Sequence, residues 1–480
     1  MTFNWIIFII FSLGILAVGS ISKRILDKKT ENNDESFLLG GRTIGEFVGA
    51  ATIIATGYSG WGFIGSPGSA YQFGTIEVLA NFFFAPAIAM GTLFFAGFMR
   101  KRAQASGGMT IPEYIANSHK GKEKDRKWVQ VLAGLTSFIF LSIYMVGQIR
   151  AIGFVGAKWL GIDEIIVAIL FLTIITIFTV QGGFLAVALT DTIMCMGMIL
   201  ATLLVSFVVF RDISFPEMIK SLGQIDPELI NPSTSAPYGQ GPFSVYLVFV
   251  YALLFTTSLP YMSVRFLSLK KNIKIHKLAL YLVPMGLILS IIPIVGLYMR
   301  IKKPGLEIPD QVMPLFLNIY LHPMLASIIT LFILFAMLST ISSVLQTQAA
   351  ALSYDIFAHF GKNKWRDSKR INQLSILFTS FFCILLSFFA PQSMLNQISY
   401  LGTGGIIAMF SGPILMNRYS QTSLRTCLLS MLVGFLSHIY FVSFLKLGWV
   451  ESPIYSSLLN LGLYLLLSLW EERDRISLEN

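Results

Sequence analysis

The sequence predicts an all-α, polytopic membrane protein, and three observations carry that prediction. Of the 480 residues 55% are hydrophobic and only 12% charged, with a mean hydropathy of +0.71, whereas soluble domains carry about a quarter charged residues. Apolar runs near the ~20 residues that take a helix across a bilayer recur along almost the whole chain. Charge, finally, is sorted by loop. With the N-terminus outside, 27 of the 35 Lys and Arg residues fall in inner loops and 7 in outer loops, leaving only Arg150 within a span. This satisfies the positive-inside rule and explains a pI of about 9.4 without a nucleic-acid partner.

Thirteen helices are expected. They are α1 near 5–21, α2 near 44–65, α3 near 75–98, α4 near 128–157, α5 near 163–181, α6 near 185–210 and α7 near 243–263. After these come α8 near 277–299, α9 near 323–357, α10 near 371–390, α11 near 394–416, α12 near 424–444 and α13 near 453–470. The first is followed by Lys23 and Arg24 with no small-residue cleavage site, which reads as a retained span. An odd count places the C-terminus in the cytoplasm, with Glu471 to Asn480 as a short solvated tail. The longest outer loop, Arg211 to Gly241, carries Pro216, Pro227, Pro232 and Pro237 and is expected to have little regular structure. Cys195, Cys383 and Cys427 lie in apolar runs without metal-ligand or disulfide spacing.

Four places break the apolar rule. From Gly57 to Gly68, α2 holds five glycines and Pro67. Such backbone unwinds at membrane depth only where protein or a water-filled cavity surrounds it, and its freed carbonyls then coordinate a cation or solute. Close helix packing through glycine is the alternative. In α9, Ala336, Ser339, Thr340 and Ser343 share one face, with Ser342 beside them. Hydroxyl and carbonyl oxygens suit a hard cation such as sodium, and a packing interface needs fewer of them. Asp191 in α6 is a membrane carboxylate, costing about 2.5–3.5 kcal/mol and marking an ion path unless it snorkels to the inner surface. Arg150, with Gln148, lies mid-membrane in α4, where its partner is either an anionic solute or a structural acid.

The chain resembles the sodium:solute symporters, the family of proline, pantothenate, sialic acid and sugar carriers. The resemblance spans nearly the whole chain. It rests on Phe37 to Arg42 (FLLGGR), Ser59 to Trp61 (SGW), Thr110 to Tyr114 (TIPEY) and Gly182-Gly183 through Thr190-Asp191. Leu259 to Phe266 (LPYMSVRF) and Ala336 to Thr340 (AMLST) complete the set. It implies one transporter domain with a leucine-transporter-like core of two inverted five-helix repeats, near 44–210 and 243–416. Helix α1 and the helices near 424–470 are additions. Both α2 and α7 open a repeat and both are interrupted, α7 at Ser258 to Pro260. The resemblance places a main sodium site at the carbonyls of Ala55, Tyr58 and Ala336 and the hydroxyls of Ser339 and Thr340. A second sodium site maps onto Asp191, Ser342 and Ser343, with Ser339 and Thr340. One departure is Gly57, where proline carriers have an aspartate.

The expected function is sodium-coupled symport of a small organic solute by alternating access, in a plasma or inner membrane, with sodium as coupling ion. A solute site is expected among Thr56, Ser59, Asn81, Gln148, Arg150, Tyr251, Phe255 and Tyr261. Arg150 points to a small carboxylate or amino acid, and a neutral sugar or polyol is the alternative. A channel or sensor on the same scaffold lacks a receiver extension. An enzyme is disfavoured because His119, His276, His322, His359 and His438 are scattered. Neither nucleic acid nor an obligate protein partner is implied, only solute, sodium and the lipid bilayer.

Overall fold

A computed structural model describes residues 2–29, 34–360, 369–389, 395–419 and 422–479. Of the five basic residues expected in the inner loop between Lys362 and Arg370, Lys362, Lys364 and Arg366 lie outside the described residues. Ten helices among them are long and apolar enough to cross a membrane, and two further pairs do so as bent spans. One of the ten, Glu164–Asp212, has 49 residues and would be ~74 Å long if straight, more than twice the hydrocarbon thickness. It is two crossings. Glu164 shares a cavity with Asp310 and Gln311, while Asp212 pairs with Lys302 at 2.7 Å, so both ends lie at the same end of the molecule. The reversal occurs at Gly183 (φ 52, ψ −150), in a region open to little besides glycine. A Cβ there would meet the Phe37 carbonyl at 2.5 Å. Counted this way, the described residues hold a helix or helix pair at each of the thirteen spans read from the sequence.

Helix α1 spans Thr2–Lys29, α3 spans Thr75–Ser106, α8 Ile275–Lys302 and α9 Pro323–Phe360. Helix α4 covers Glu123–Leu160 and α10 Lys369–Phe389. The last three are Leu395–Leu415, Leu424–Ser443 and Glu451–Glu479. The bent spans are α2, Glu46–Gly57 with Trp61–Phe73 at 54°, and α7, Ser244–Ser258 with Pro260–Ser268 at 57°. Pro260 cannot continue the helix before it, and Leu259 accordingly turns extended (φ −78, ψ 124). Helix α9 runs through the middle of the bundle against α2, α4, the Glu164–Asp212 hairpin and α10.

Three expectations are corrected. The loop Arg211 to Gly241 contains a helix, Phe215–Ile225, started by a Ser214/Glu217 capping box and seated on buried Met218 and Leu222. The S-x-x-E signal was in the sequence. The polar tail after Trp470 continues α13 as helix to Glu479. The unwound part of α2 is only Tyr58 and Ser59, because Gly60 is back in helical geometry (φ −55, ψ −30) and π-helical turns follow at Trp61–Gly65. The later glycines serve close packing instead, as at Gly68, where a Cβ would come within 3.0 Å of the Pro309 backbone.

Candidate functional site

Helix α2 stops at Gly57, and Tyr58 leaves helical geometry (φ −93, ψ 80) while its N–H still closes on the Ile54 carbonyl at 2.9 Å. The last carbonyls of a helix have no partner within it. Here α9 supplies partners. Ser339 Oγ lies 2.9 Å from the Ala55 carbonyl and 3.1 Å from that of Ala336. Thr340 Oγ1 lies 3.3 Å from the Thr56 carbonyl and 3.1 Å from Ala336. The Gly57 carbonyl takes the Trp61 indole N–H at 3.0 Å. Each hydroxyl has one proton to donate, so three carbonyl and two hydroxyl oxygens gather around only two O–H protons. All of these residues are buried. Such an oxygen-rich cluster suits a hard cation. Of the residues expected at the main sodium site, Ala55, Ala336, Ser339 and Thr340 meet in it, the third carbonyl is that of Thr56, and Tyr58 stands just past the helix end.

Gly60 lets this break nest between α4 and α9. Its N–H donates to Gln148 Oε1 at 3.1 Å, and a Cβ would stand 2.9 Å from that oxygen and 3.0 Å from Met337 Cγ.

One turn deeper lies an ion pair. Asp191 Oδ2 accepts from Thr52 Oγ1 at 2.5 Å, from Thr56 Oγ1 at 3.3 Å and from Arg265 Nη2 at 3.0 Å. Arg265 also donates to Thr52 Oγ1 at 2.9 Å, to Ser343 Oγ at 2.6 Å, to the Thr56 hydroxyl and to the Tyr261 carbonyl. Asp191 Oδ1 is buried with no hydrogen-bond partner. Ser342 and Ser343 bond back to the Ser339 carbonyl at 3.0 and 2.8 Å. Reading Arg265 as an inner-loop charge is corrected: its side chain is 1% exposed. The error arose because it follows the Pro260 break closely enough to look like a helix end.

The expected solute residues divide. Tyr251 and Phe255 line one narrow cavity with Trp61, Phe84, Tyr144, Ser399, Tyr400 and Thr403, and Tyr261 stacks on Tyr144 at 5.6 Å. Ser59 accepts from the Tyr144 hydroxyl at 2.9 Å, and Gln148 holds Gly60. Thr56 belongs to the Asp191 pair. Asn81 bonds Glu77 Oε1 at 2.8 Å and Ser66 Oγ at 3.2 Å. Arg150 is elsewhere. It reaches the Ser387 carbonyl at 3.3 Å and lines a separate cavity with Glu164 and Asp310. Sequence reasoning missed Phe84, Tyr144, Tyr400 and Thr403, since ordinary aromatic residues in apolar helices give no signal, and Thr52, an unremarked hydroxyl one turn before Thr56.

A family model described as "Sodium:solute symporter family" matches residues 37–434. The chain belongs to the sodium:solute symporter family. Curated relatives include the sodium/pantothenate symporter of Haemophilus influenzae, 27% identical over 90% of this chain and 88% of the relative. The osmoregulated proline transporter of Bacillus subtilis is also 27% identical, over 89% of this chain and 87% of the relative. Among solved structures, a Na+-coupled sialic acid symporter in a substrate-bound outward-open state matches with a TM-score of 0.76. The match is 16% identical and covers 98% of both chains. MhsT in complex with L-phenylalanine matches with a TM-score of 0.52, at 17% identity, over 88% of this chain and 97% of that one. The fold is thus leucine-transporter-like. This symporter carries a small organic solute with sodium as coupling ion and is a transporter, not an enzyme.

Proposed function

We propose that the main coupling sodium binds between the α2 break and α9, held by the carbonyls of Ala55, Tyr58 and Ala336 and the hydroxyls of Ser339 and Thr340. The observation that carries this is the Ser339 hydroxyl 2.9 Å from the Ala55 carbonyl at the end of a broken helix. An ion there bridges the break to α9, so its presence sets the shape of the solute cavity that Trp61 and Tyr144 line on the same break. A second sodium is proposed at Asp191, Ser342 and Ser343, with Ser339 and Thr340. It is supported by the Asp191 oxygen that Arg265 leaves unpartnered. The two inverted repeats are 44–210 and 243–416, the N-terminus lies outside, and the C-terminus is cytoplasmic in the plasma or inner membrane. The sodium gradient then drives solute into the cell.

The solute is proposed to be neutral or zwitterionic. The polar groups along the wall of the aromatic cavity are the Ser399 and Thr403 hydroxyls, the tyrosines and the Trp61 indole N–H, which the Gly57 carbonyl takes, with no charged side chain in the lining, and aromatic faces stack on sugar or side-chain rings. A carboxylate held by Arg150 is the second reading, and it requires the solute to reach the neighbouring cavity. Uptake of labelled amino acids, carboxylates, sugars and polyols into proteoliposomes under an imposed sodium gradient tests both. Uptake that ignores sodium would overturn the coupling. Uptake of carboxylates alone, abolished by Arg150→Lys, would overturn the neutral-solute reading.

A further inference from the structure

Arg150 reads as mid-membrane from its place in α4, yet it stands close to one end of the bundle. Gly153 lies one turn further along α4, and a Cβ there would come within 2.8 Å of the Glu164 carbonyl. Glu164 is the first residue of α5, the first limb of the Glu164–Asp212 hairpin. Arg150 is therefore only about one helical turn, ~5 Å, inside the end of a crossing, the outer end in the orientation proposed above. At that depth the hydrocarbon core gives way to the headgroup layer, which adds roughly 5–7 Å on each side.

The cavity beside Arg150 has a volume of about 550 Å³, within the range of sites that hold organic ligands, and it opens sideways. Helix α4 forms its back, α5 one wall through Ile165 and Ile169, and α10 the other through Ile384 and Phe388. Ile165, Ile169 and Phe388 are 45%, 40% and 50% exposed. On helices that cross a membrane such side chains meet lipid tails, which are as apolar as they are. Arg150 donates to the Ser387 carbonyl of α10 at 3.3 Å, so its guanidinium lies toward the α10 wall. The other charged side chains in the lining are Glu164, one turn outward, and Asp310.

A ligand matched to this groove carries apolar chains for its walls, an anion for the guanidinium and, next to the anion, a cation for two carboxylates. A phosphoethanolamine lipid has these groups in that order. Its phosphate suits a bidentate guanidinium, and a primary ammonium brings three N–H donors. A choline headgroup has no N–H to donate, and a glycerol headgroup leaves the phosphate charge beside two carboxylates with no cation between them. A soluble zwitterion leaves the apolar walls unfilled.

We propose that the groove between α4, α5 and α10 binds one phospholipid with a phosphoethanolamine headgroup, its phosphate on Arg150 and its ammonium on Glu164 and Asp310. Basic pockets between crossing helices are a general means of holding headgroups. The buried part of the lining is Ile64, in the second half of α2, and Ile398, which precedes Ser399 of the aromatic cavity. The lipid thus bears on two elements that shape the solute cavity.

The test is native mass spectrometry on the full-length chain, purified in detergent, delipidated and titrated with palmitoyl-oleoyl phosphatidylethanolamine, phosphatidylcholine or phosphatidylglycerol. Wild type is expected to hold one phosphatidylethanolamine about tenfold more tightly than either of the others, the scale of one charge-assisted hydrogen bond. Arg150→Gln is expected to lose that preference, and Glu164→Gln to lose most of the preference over the choline lipid. Glu164 is exposed at a helix end, so Glu164→Gln decides should Arg150→Gln fail to fold. Equal retention of the three lipids by wild type, or an unchanged preference in the folded variants, overturns the proposal and leaves unspecific lipid at the groove. Displacement of the bound lipid by an equal concentration of glycerophosphoethanolamine, which has no acyl chains, overturns it in favour of a soluble zwitterion at Arg150.

Discussion

Ser339 and Thr340 stand between carbonyls of two helices, and each has one proton for two acceptors. Removing both hydroxyls leaves an ion at the α2 break with carbonyl ligands only. The double variant Ser339→Ala/Thr340→Ala is therefore expected to raise the half-saturating sodium concentration at least about tenfold, at roughly 1.5 kcal/mol for each ligand to a charge. A sodium titration of uptake checks this, and identical curves for wild type and variant would refute the site. Asp191 and Arg265 are a different case, a buried pair whose members depend on each other. Breaking such a pair costs about 3–5 kcal/mol because a charge is left uncompensated. Arg265→Gln is expected to lower the melting temperature in detergent markedly, and the double variant Arg265→Gln/Asp191→Asn to recover part of that loss. If the double variant melts lower than the single by the full cost of a second deletion, the two residues are not coupled. The unpartnered Asp191 oxygen also predicts two sodium ions per solute, falling to one in Asp191→Asn. Reversal potentials measure the ratio, and a wild-type value of one would dispose of the second site.

At the scale of elements, the reversal at Gly183 is the sharpest constraint, since its backbone lies where side chains are excluded and the Phe37 carbonyl fills the space of a Cβ. Gly183→Ala is expected to destabilise the fold by about 1–3 kcal/mol from backbone strain alone, read as a lower melting temperature and reduced membrane yield. A variant with wild-type stability would show that the turn relaxes freely. This reversal also shows what could be read in advance. A span boundary at Gly182-Gly183 was legible because two glycines interrupt a run far too long for one crossing, and the hydroxyl stripe of α9 was legible because its period is that of a helix. Arg265 was not legible, since a charge a few residues past a proline break looks like a loop residue until the second half of α7 is seen to run inward. Arg150 misled for the converse reason. Its position in the middle of an apolar helix said nothing about which face it occupies, and α4 turns it toward Ser387 and away from the aromatic cavity. The capping box at Ser214 was overlooked because four prolines nearby suggested an irregular loop.

At the scale of the whole molecule, alternating access requires the two ends to exchange opening, and the fold fixes which contacts must part. The aromatic cavity has a volume of about 10 Å³, far below the ~300 Å³ and more of sites that hold organic ligands, so solute binding demands movement of the helices around it. At one end the 44–269 and 120–423 backbone bridges join loops of different helices. At the other, Tyr238 of the loop before α7 donates to buried Glu77 and packs edge-on to Trp449 at 6.2 Å. The first end carries Lys120, Lys270 and Lys271, and the orientation proposed above on the positive-inside rule makes it the cytoplasmic end. That assignment has a direct consequence. Lys271 and Lys446 are both exposed, at opposite ends, while the native cysteines, Cys195, Cys383 and Cys427, are buried and give a low background to thiol reagents. In right-side-out vesicles a membrane-impermeant maleimide is expected to label Lys446→Cys and spare Lys271→Cys until the membrane is permeabilised. The reverse pattern would invert the orientation, and with it the side from which sodium reaches the α2 break.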